Sequence, residues 1–138
     1  MNILLVEDNN MLAETTAILI QSIGDHQVYI TDEPKEVFQQ CQSGNVDVVM
    51  MDVNLPGAQW EGKSVSGADL SRLLKTQPQT EKIPIILVTA YALVNEQQSL
   101  LELSKADSFY AKPILDFESL LEKLKRLVKK YRIQSPSH

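Results

Sequence analysis

At 138 residues the chain has room for one domain, and with 43% hydrophobic residues it can bury a core without disulfide staples. Thirteen basic against eighteen acidic residues leave a net charge of −5, which excludes whole-surface attraction to nucleic acid. The one cysteine, Cys41, cannot form an internal bridge, and the apolar run after Met1 is too short for a signal peptide or a membrane span, so a cytoplasmic protein is expected.

The run 3–6 is apolar, ends at once in Glu7-Asp8 and reads as a strand. Asn9 or Asn10 is a candidate cap for a first helix, with Leu12, Ile18, Leu19 and Ile23 expected along its buried face. A second strand falls at 28–30, and Val37 and Phe38 sit in the helix after it, with Cys41 as a small apolar residue. The third strand, 46–51, is the most continuously apolar and ends in Asp52. Leu70, Leu73 and Leu74 mark a third helix, and 85–88 a fourth strand that runs into Thr89. Leu100, Leu101 and Leu103 mark a fourth helix, and the strand 108–111 leads into Lys112-Pro113. The last helix has the clearest period: Phe117, Leu120, Leu121, Leu124, Leu127, Val128 and Tyr131 keep a 3/4 spacing. Its basic residues, Lys123, Lys125, Arg126, Lys129, Lys130 and Arg132, read as a solvated face that also suits the helix dipole. The domain is expected to span 1–131, followed by a flexible tail at 132–138.

Strands alternating with helices imply a parallel sheet covered on both faces, with ligands beyond the carboxyl ends of the strands. Five polar groups fall at that one edge: Glu7, Asp8, Asp52, Thr89 and Lys112. Three carboxylates brought together repel one another unless a cation is present. Mg²⁺ suits such a group, since it commonly takes one or two carboxylates, several waters and a phosphate oxygen. Lys112 offers a point charge to a phosphoryl oxygen and Thr89 a hydroxyl donor. Asp52, at the end of the strand expected to be central, is the best placed nucleophile for an aspartyl phosphate.

These residues carry a resemblance. Val6-Glu7-Asp8-Asn9, Met51-Asp52-Val53-Asn54-Leu55-Pro56, Val88-Thr89-Ala90 and Ala111-Lys112-Pro113, in this order, resemble the receiver domain of two-component response regulators over residues 1–131. The resemblance implies a flavodoxin-like α/β fold, with five helices around a doubly wound five-stranded parallel sheet of order 2-1-3-4-5. It implies Asp52 as phosphoacceptor, Glu7 and Asp8 as metal-side acids, the Asn54 backbone carbonyl as a further Mg²⁺ ligand, and Thr89 and Lys112 as holders of the phosphoryl oxygens. Phe109 stands where the family has its switch aromatic, and Asn54 and Tyr91 where it tunes hydrolysis. The implied donor is a sensor histidine kinase or a histidine phosphotransfer protein, docking beside the first helix. Output through the face of the fourth helix, fifth strand and fifth helix would go to an effector protein. A stand-alone regulator is expected, a phosphoacceptor and not a turnover enzyme, with no direct DNA or membrane binding, as a monomer or a phosphorylation-dependent homodimer.

Three features depart from the family pattern. Gly67 takes the place of a glycine that usually opens the third helix, but it comes later, so the stretch 57–66 is unusually long and holds the only tryptophan, Trp60. Trp60 is expected either to pin this loop to the domain surface or to shield the phosphoryl site or meet a partner. Lys105 replaces a glycine that would allow a left-handed turn, at a cost of roughly 1 kcal/mol if the turn is kept. Phe109 lacks a hydroxyl. Among rival functions, a Mg²⁺-dependent phosphatase would want an acid where Asn54 stands. A phosphorylation-independent pseudo-receiver would typically have lost one of the five site residues, and all five are present.

Overall fold

The computed structural model describes residues 1–90 and 94–134. In chain order the elements are β1 (Asn2–Val6), α1 (Asn10–Ile23), β2 (Gln27–Thr31), α2 (Pro34–Gln42), β3 (Val48–Met51), β4 (Gln59–Trp60), β5 (Lys63–Ser64), α3 (Gly67–Lys75), β6 (Ile85–Ala90), α4 (Val94–Ser104), β7 (Ser108–Lys112) and α5 (Phe117–Gln134). The main sheet has the order β2-β1-β3-β6-β7 with every pair parallel, which is the expected 2-1-3-4-5 when only its own strands are counted. No described helix is long and apolar enough to cross a membrane. The expected tail overlaps α5 at 132–134 and otherwise lies outside the described residues.

Alternation along the strands builds two cores. Leu4, Val6, Val49, Met51, Ile85 and Leu87 face one way and pack with Val37 and Phe38 of α2 and Leu70 and Leu74 of α3. Ile3, Leu5, Val48, Met50, Ile86 and Val88 face the other way, onto Ala13 and Ile20 of α1 and Leu120, Leu121 and Leu124 of α5. All four residues of β3 are fully buried, as a central strand flanked on both faces requires.

Some expectations are corrected. On α1, Leu12, Ile18, Leu19 and Ile23 are 40% to 65% exposed, while Ala13, Thr16, Ala17 and Ile20 are buried. This helix is apolar on more than one face, so spacing alone did not pick the inward one, and small residues let its backbone approach the sheet. Its cap is Asn9, whose side chain accepts from the Leu12 amide at 3.0 Å. The third strand starts at Val48, not at residue 46; Asp47 just before it is held to Asn2 twice, its amide donating to Asn2 O at 2.8 Å and its carboxylate accepting from the Asn2 amide at 2.7 Å. On α4, Leu103 is exposed, and Leu100 and the buried Ser104 face inward. Lys105 does keep the left-handed turn, at φ 57°, so the strain is carried there.

At the amino-terminal edge of the sheet, sequence reading missed a network. Lys75 Nζ, at the end of α3, lies 2.8 Å from Asp107 Oδ2 and 2.6 Å from the Tyr131 hydroxyl. Tyr131 in turn donates to Asp107, whose Oδ2 accepts from the Ile85 amide at 2.8 Å. One acid thus ties α3, α5, β6 and β7 together. Burial, then the hydrogen bond to Asp107 and its negative charge, push the Tyr131 hydroxyl above its ordinary pKa. A raised pKa means stability that is present below about pH 10 and falls as pH rises above it, because only the unfolded chain then ionises. Tyr131→Phe is expected to cost about 1 kcal/mol at neutral pH. In urea unfolding, the gap between the two proteins should shrink from about pH 8 to about pH 11.

Candidate functional site

Parallel pairing sends the carboxyl ends of all five strands to one edge. Val6 is in register with Met51, so the next residues, Glu7 and Asp52, emerge side by side, and Ala90 is in register with Lys112. Glu7 and Asp52 are each only 5% exposed, while Asp8 is half-buried. Carboxylate oxygens of Glu7, Asp8 and Asp52 lie within 4.8 Å of one another. Lys112 Nζ reaches between two of them, 2.5 Å from Glu7 Oε1 and 2.8 Å from Asp52 Oδ2. The Asn54 amide donates to Asp52 Oδ1 at 3.2 Å, and the Asn9 amide to Glu7 Oε2 at 3.3 Å. Burial pulls the Lys112 ammonium towards neutrality, but hydrogen bonds to Asp52 and Glu7 and their charges outweigh it and raise its pKa.

One ammonium therefore faces three carboxylates, two of them buried. The Asp8 carboxylate makes no hydrogen bond or ion pair among the described residues. A donor set made only of oxygens, with surplus negative charge at one open corner, fits a hard divalent cation. Lys112 is joined to Pro113 by a cis peptide bond.

The remaining expected residues are placed as follows. Thr89 is buried near the end of β6, and its hydroxyl makes no hydrogen bond among the described residues. Asn54 is exposed, beside Asp52. Phe109 is partly buried against the α2 and α3 core, and its carbonyl accepts from Lys123 Nζ at 3.1 Å. Tyr91 lies outside the described residues. Trp60 is not brought to the carboxylates: its ring stacks on Phe38 of α2, with centroids 4.3 Å apart.

Gly67 opens α3 as the resemblance implies, and the structure adds its close approach to Asp52. A Cβ on Gly67 would stand 1.8 Å from the Asp52 carbonyl oxygen, and the Gly67 amide donates to Val53 O at 2.8 Å. Ser66 and Asp69 form a capping box that starts α3 at this point. A motif of serine followed three residues on by an acid could have marked that start.

Beside the carboxylates a cavity of about 380 Å³ opens between α1 and α5, lined by apolar groups such as Leu12, Leu19, Ile114 and Phe117. The partly exposed Leu12 and Leu19 form its α1 wall.

The family model of the response regulator receiver domain matches residues 3–125. The chain is 27% identical over 127 residues to the gliding motility regulatory protein of Myxococcus xanthus, covering 92% of this chain and 15% of that protein. It is 26% identical over 113 residues to the polar-differentiation response regulator DivK of Brucella ovis, covering 82% of this chain and 85% of that protein. Among solved structures, the receiver domain of a sensor histidine kinase from Pseudomonas aeruginosa PAO1 is similar at a TM-score of 0.76 and 25% identity, covering 93% of this chain and 97% of that one. In that structure a magnesium ion is coordinated in the active-site cleft. The chain spans less than half the length of several curated relatives it matches. With its fold, strand order and acidic edge in agreement with that match, the chain belongs to the response regulator receiver domain family.

Proposed function

We propose that this receiver takes a phosphoryl group onto Asp52 from a phosphohistidine of a sensor kinase or phosphotransfer protein, in a Mg²⁺-dependent reaction, and signals through protein contact. The observation that carries the reading is the cluster of Glu7, Asp8 and Asp52 with Lys112 as its one ammonium. Asp8, Asp52 and the Asn54 carbonyl would hold Mg²⁺, with Glu7 on the same side. When bound, the ion supplies the positive charge that lets an anionic phosphoryl group approach the acids.

In the transfer, an Asp52 carboxylate oxygen attacks phosphorus as the phosphorus–nitrogen bond to imidazole breaks, and the leaving nitrogen keeps the electron pair. Lys112 already bonds Asp52 Oδ2, so its ammonium can pass to a phosphoryl oxygen without moving far. Thr89 offers its hydroxyl to another. Contacts made only in the phosphorylated form would then shift the population towards a state with Thr89 and Phe109 turned inward. The exposed apolar side chains Met11, Leu12, Ile18 and Leu19 on α1, next to the site, support docking of the donor there. The cytoplasm is the expected location and another protein the expected effector.

The test is incubation with Mg²⁺ and a small acyl phosphate, read by intact mass. One phosphoryl adduct that disappears when the metal is chelated is expected. No adduct from either the acyl phosphate or a cognate kinase would overturn the reading in favour of a pseudo-receiver.

A further inference from the structure

The long segment after Asp52 is not an open loop. Gln59 and Trp60 pair with Ser64 and Lys63 to form a small hairpin, turned by Glu61 at φ 52° and Gly62 at φ 78°. Two positive φ values in succession give the turn that matches the twist of antiparallel strands. A hairpin of two residue pairs is marginal by itself and needs a surface to pack on. Trp60 supplies the contact by stacking on Phe38, which is itself 3% exposed and part of the core. Large aromatic rings bury enough area to hold such an element.

A short series of backbone bonds leads from this hairpin to the carboxylate. The Val65 amide donates to Ala58 O at 3.0 Å, and the Ala58 amide to Leu55 O at 3.1 Å. Gly67 closes the neck by donating to Val53 O at 2.8 Å, and the Asn54 amide donates to Asp52 Oδ1 at 3.2 Å. Leu55 and Ala58 are buried and Val65 packs against the same core, while a Cβ on Gly57, at φ 79°, would meet nothing, so the Trp60 stack is the anchor nearest the tip of the segment.

We infer that Trp60 is a positioning residue: through its stack on Phe38 it fixes the 53–67 segment, and with it the Asn54 backbone beside Asp52. The inference rests on the proposed Mg²⁺ site, to which Asn54 contributes its carbonyl. It assigns the hairpin a part in shaping that site from the α2 side, without covering it.

Mg²⁺ titration calorimetry on the full chain tests this, with Trp60→Ala, Trp60→Phe and Phe38→Leu beside wild type. Trp60→Ala and Phe38→Leu are expected to weaken Mg²⁺ binding by about tenfold, the lower end of what loss of an outer support costs a metal site. Trp60→Phe keeps a ring on Phe38 and should keep the affinity. Tyr131→Phe, which loosens the opposite edge of the sheet, should lower stability and leave Mg²⁺ affinity unchanged. In wild type, the fluorescence of Trp60, the only tryptophan, should change on Mg²⁺ addition. Wild-type affinity in both Trp60→Ala and Phe38→Leu would overturn the inference alone. Wild-type protein that binds no Mg²⁺ would overturn the proposed site and the inference with it.

Discussion

Asp52→Asn is expected to abolish phosphoryl uptake while leaving the fold about as stable as wild type. The amide keeps the shape of the side chain and can still accept from the Asn54 amide, but it is no longer a nucleophilic carboxylate. No neighbour is placed to substitute. Both Glu7 oxygens are engaged, by Lys112 and by the Asn9 amide. Among the described residues the Asp8 carboxylate accepts no hydrogen bond, so no ammonium or amide orients its oxygens for attack. Only Asp52 has both Lys112 and the Asn54 backbone N–H on its oxygens while standing at the end of the central strand. The stability half follows from the charge balance. Removing one of three clustered carboxylates relieves repulsion, and Lys112 keeps Glu7 as its partner, so the change should be within about 1 kcal/mol of zero or slightly favourable. Intact mass after acyl phosphate treatment and urea unfolding of the same sample check both halves. An adduct retained in the variant would sink the assignment of Asp52; an adduct lost together with several kcal/mol of stability would mean that the residue is structural.

How much of this was legible in the sequence depended on whether a residue acts through its own type or through its neighbour. The buried strands and the acids after them were readable because a both-faces-covered strand must be apolar and the next polar residue then marks its end. Glu7, Asp8, Asp52 and Lys112 do meet at one edge. The inward face of α1 was misread because that helix is apolar on two sides, and only packing shows that Ala13 and Ala17 face in while Leu12 and Leu19 stay partly exposed. Contacts between residues far apart in the chain left no local trace. Nothing about Phe38 announces a stack with Trp60, and nothing about Lys75, Asp107 or Tyr131 announces a shared network. Lys105 was readable as a site of strain, yet whether the turn would be kept depended on the Lys105 amide finding Leu101 O at 3.0 Å.

Gly67→Ala is expected to be the most damaging single methyl group that can be added here. Its glycine is needed for space and not for backbone freedom. The added Cβ would lie 1.8 Å from the Asp52 carbonyl oxygen, 2.7 Å from its carbon and 3.0 Å from Met51 Cγ. Two of these three atoms are backbone and cannot rotate away. Either α3 must withdraw, breaking the bond from the Gly67 amide to Val53 O, or the exit of β3 must shift and carry Asp52 with it. Overpacking of this severity should cost about 3 kcal/mol. Phosphoryl uptake should fall as well, since misplacing a reacting group by about 1 Å can cost about a hundredfold in rate. Gly57→Ala is the informative comparison: Gly57 has φ 79° and open space where the added methyl group would stand, so the penalty there is conformational, about 1 kcal/mol. Urea unfolding and the phosphorylation rate of the two variants separate the mechanisms. If Gly67→Ala is no worse than Gly57→Ala in both measurements, the close approach of α3 to the phosphoacceptor strand is not a constraint on this site.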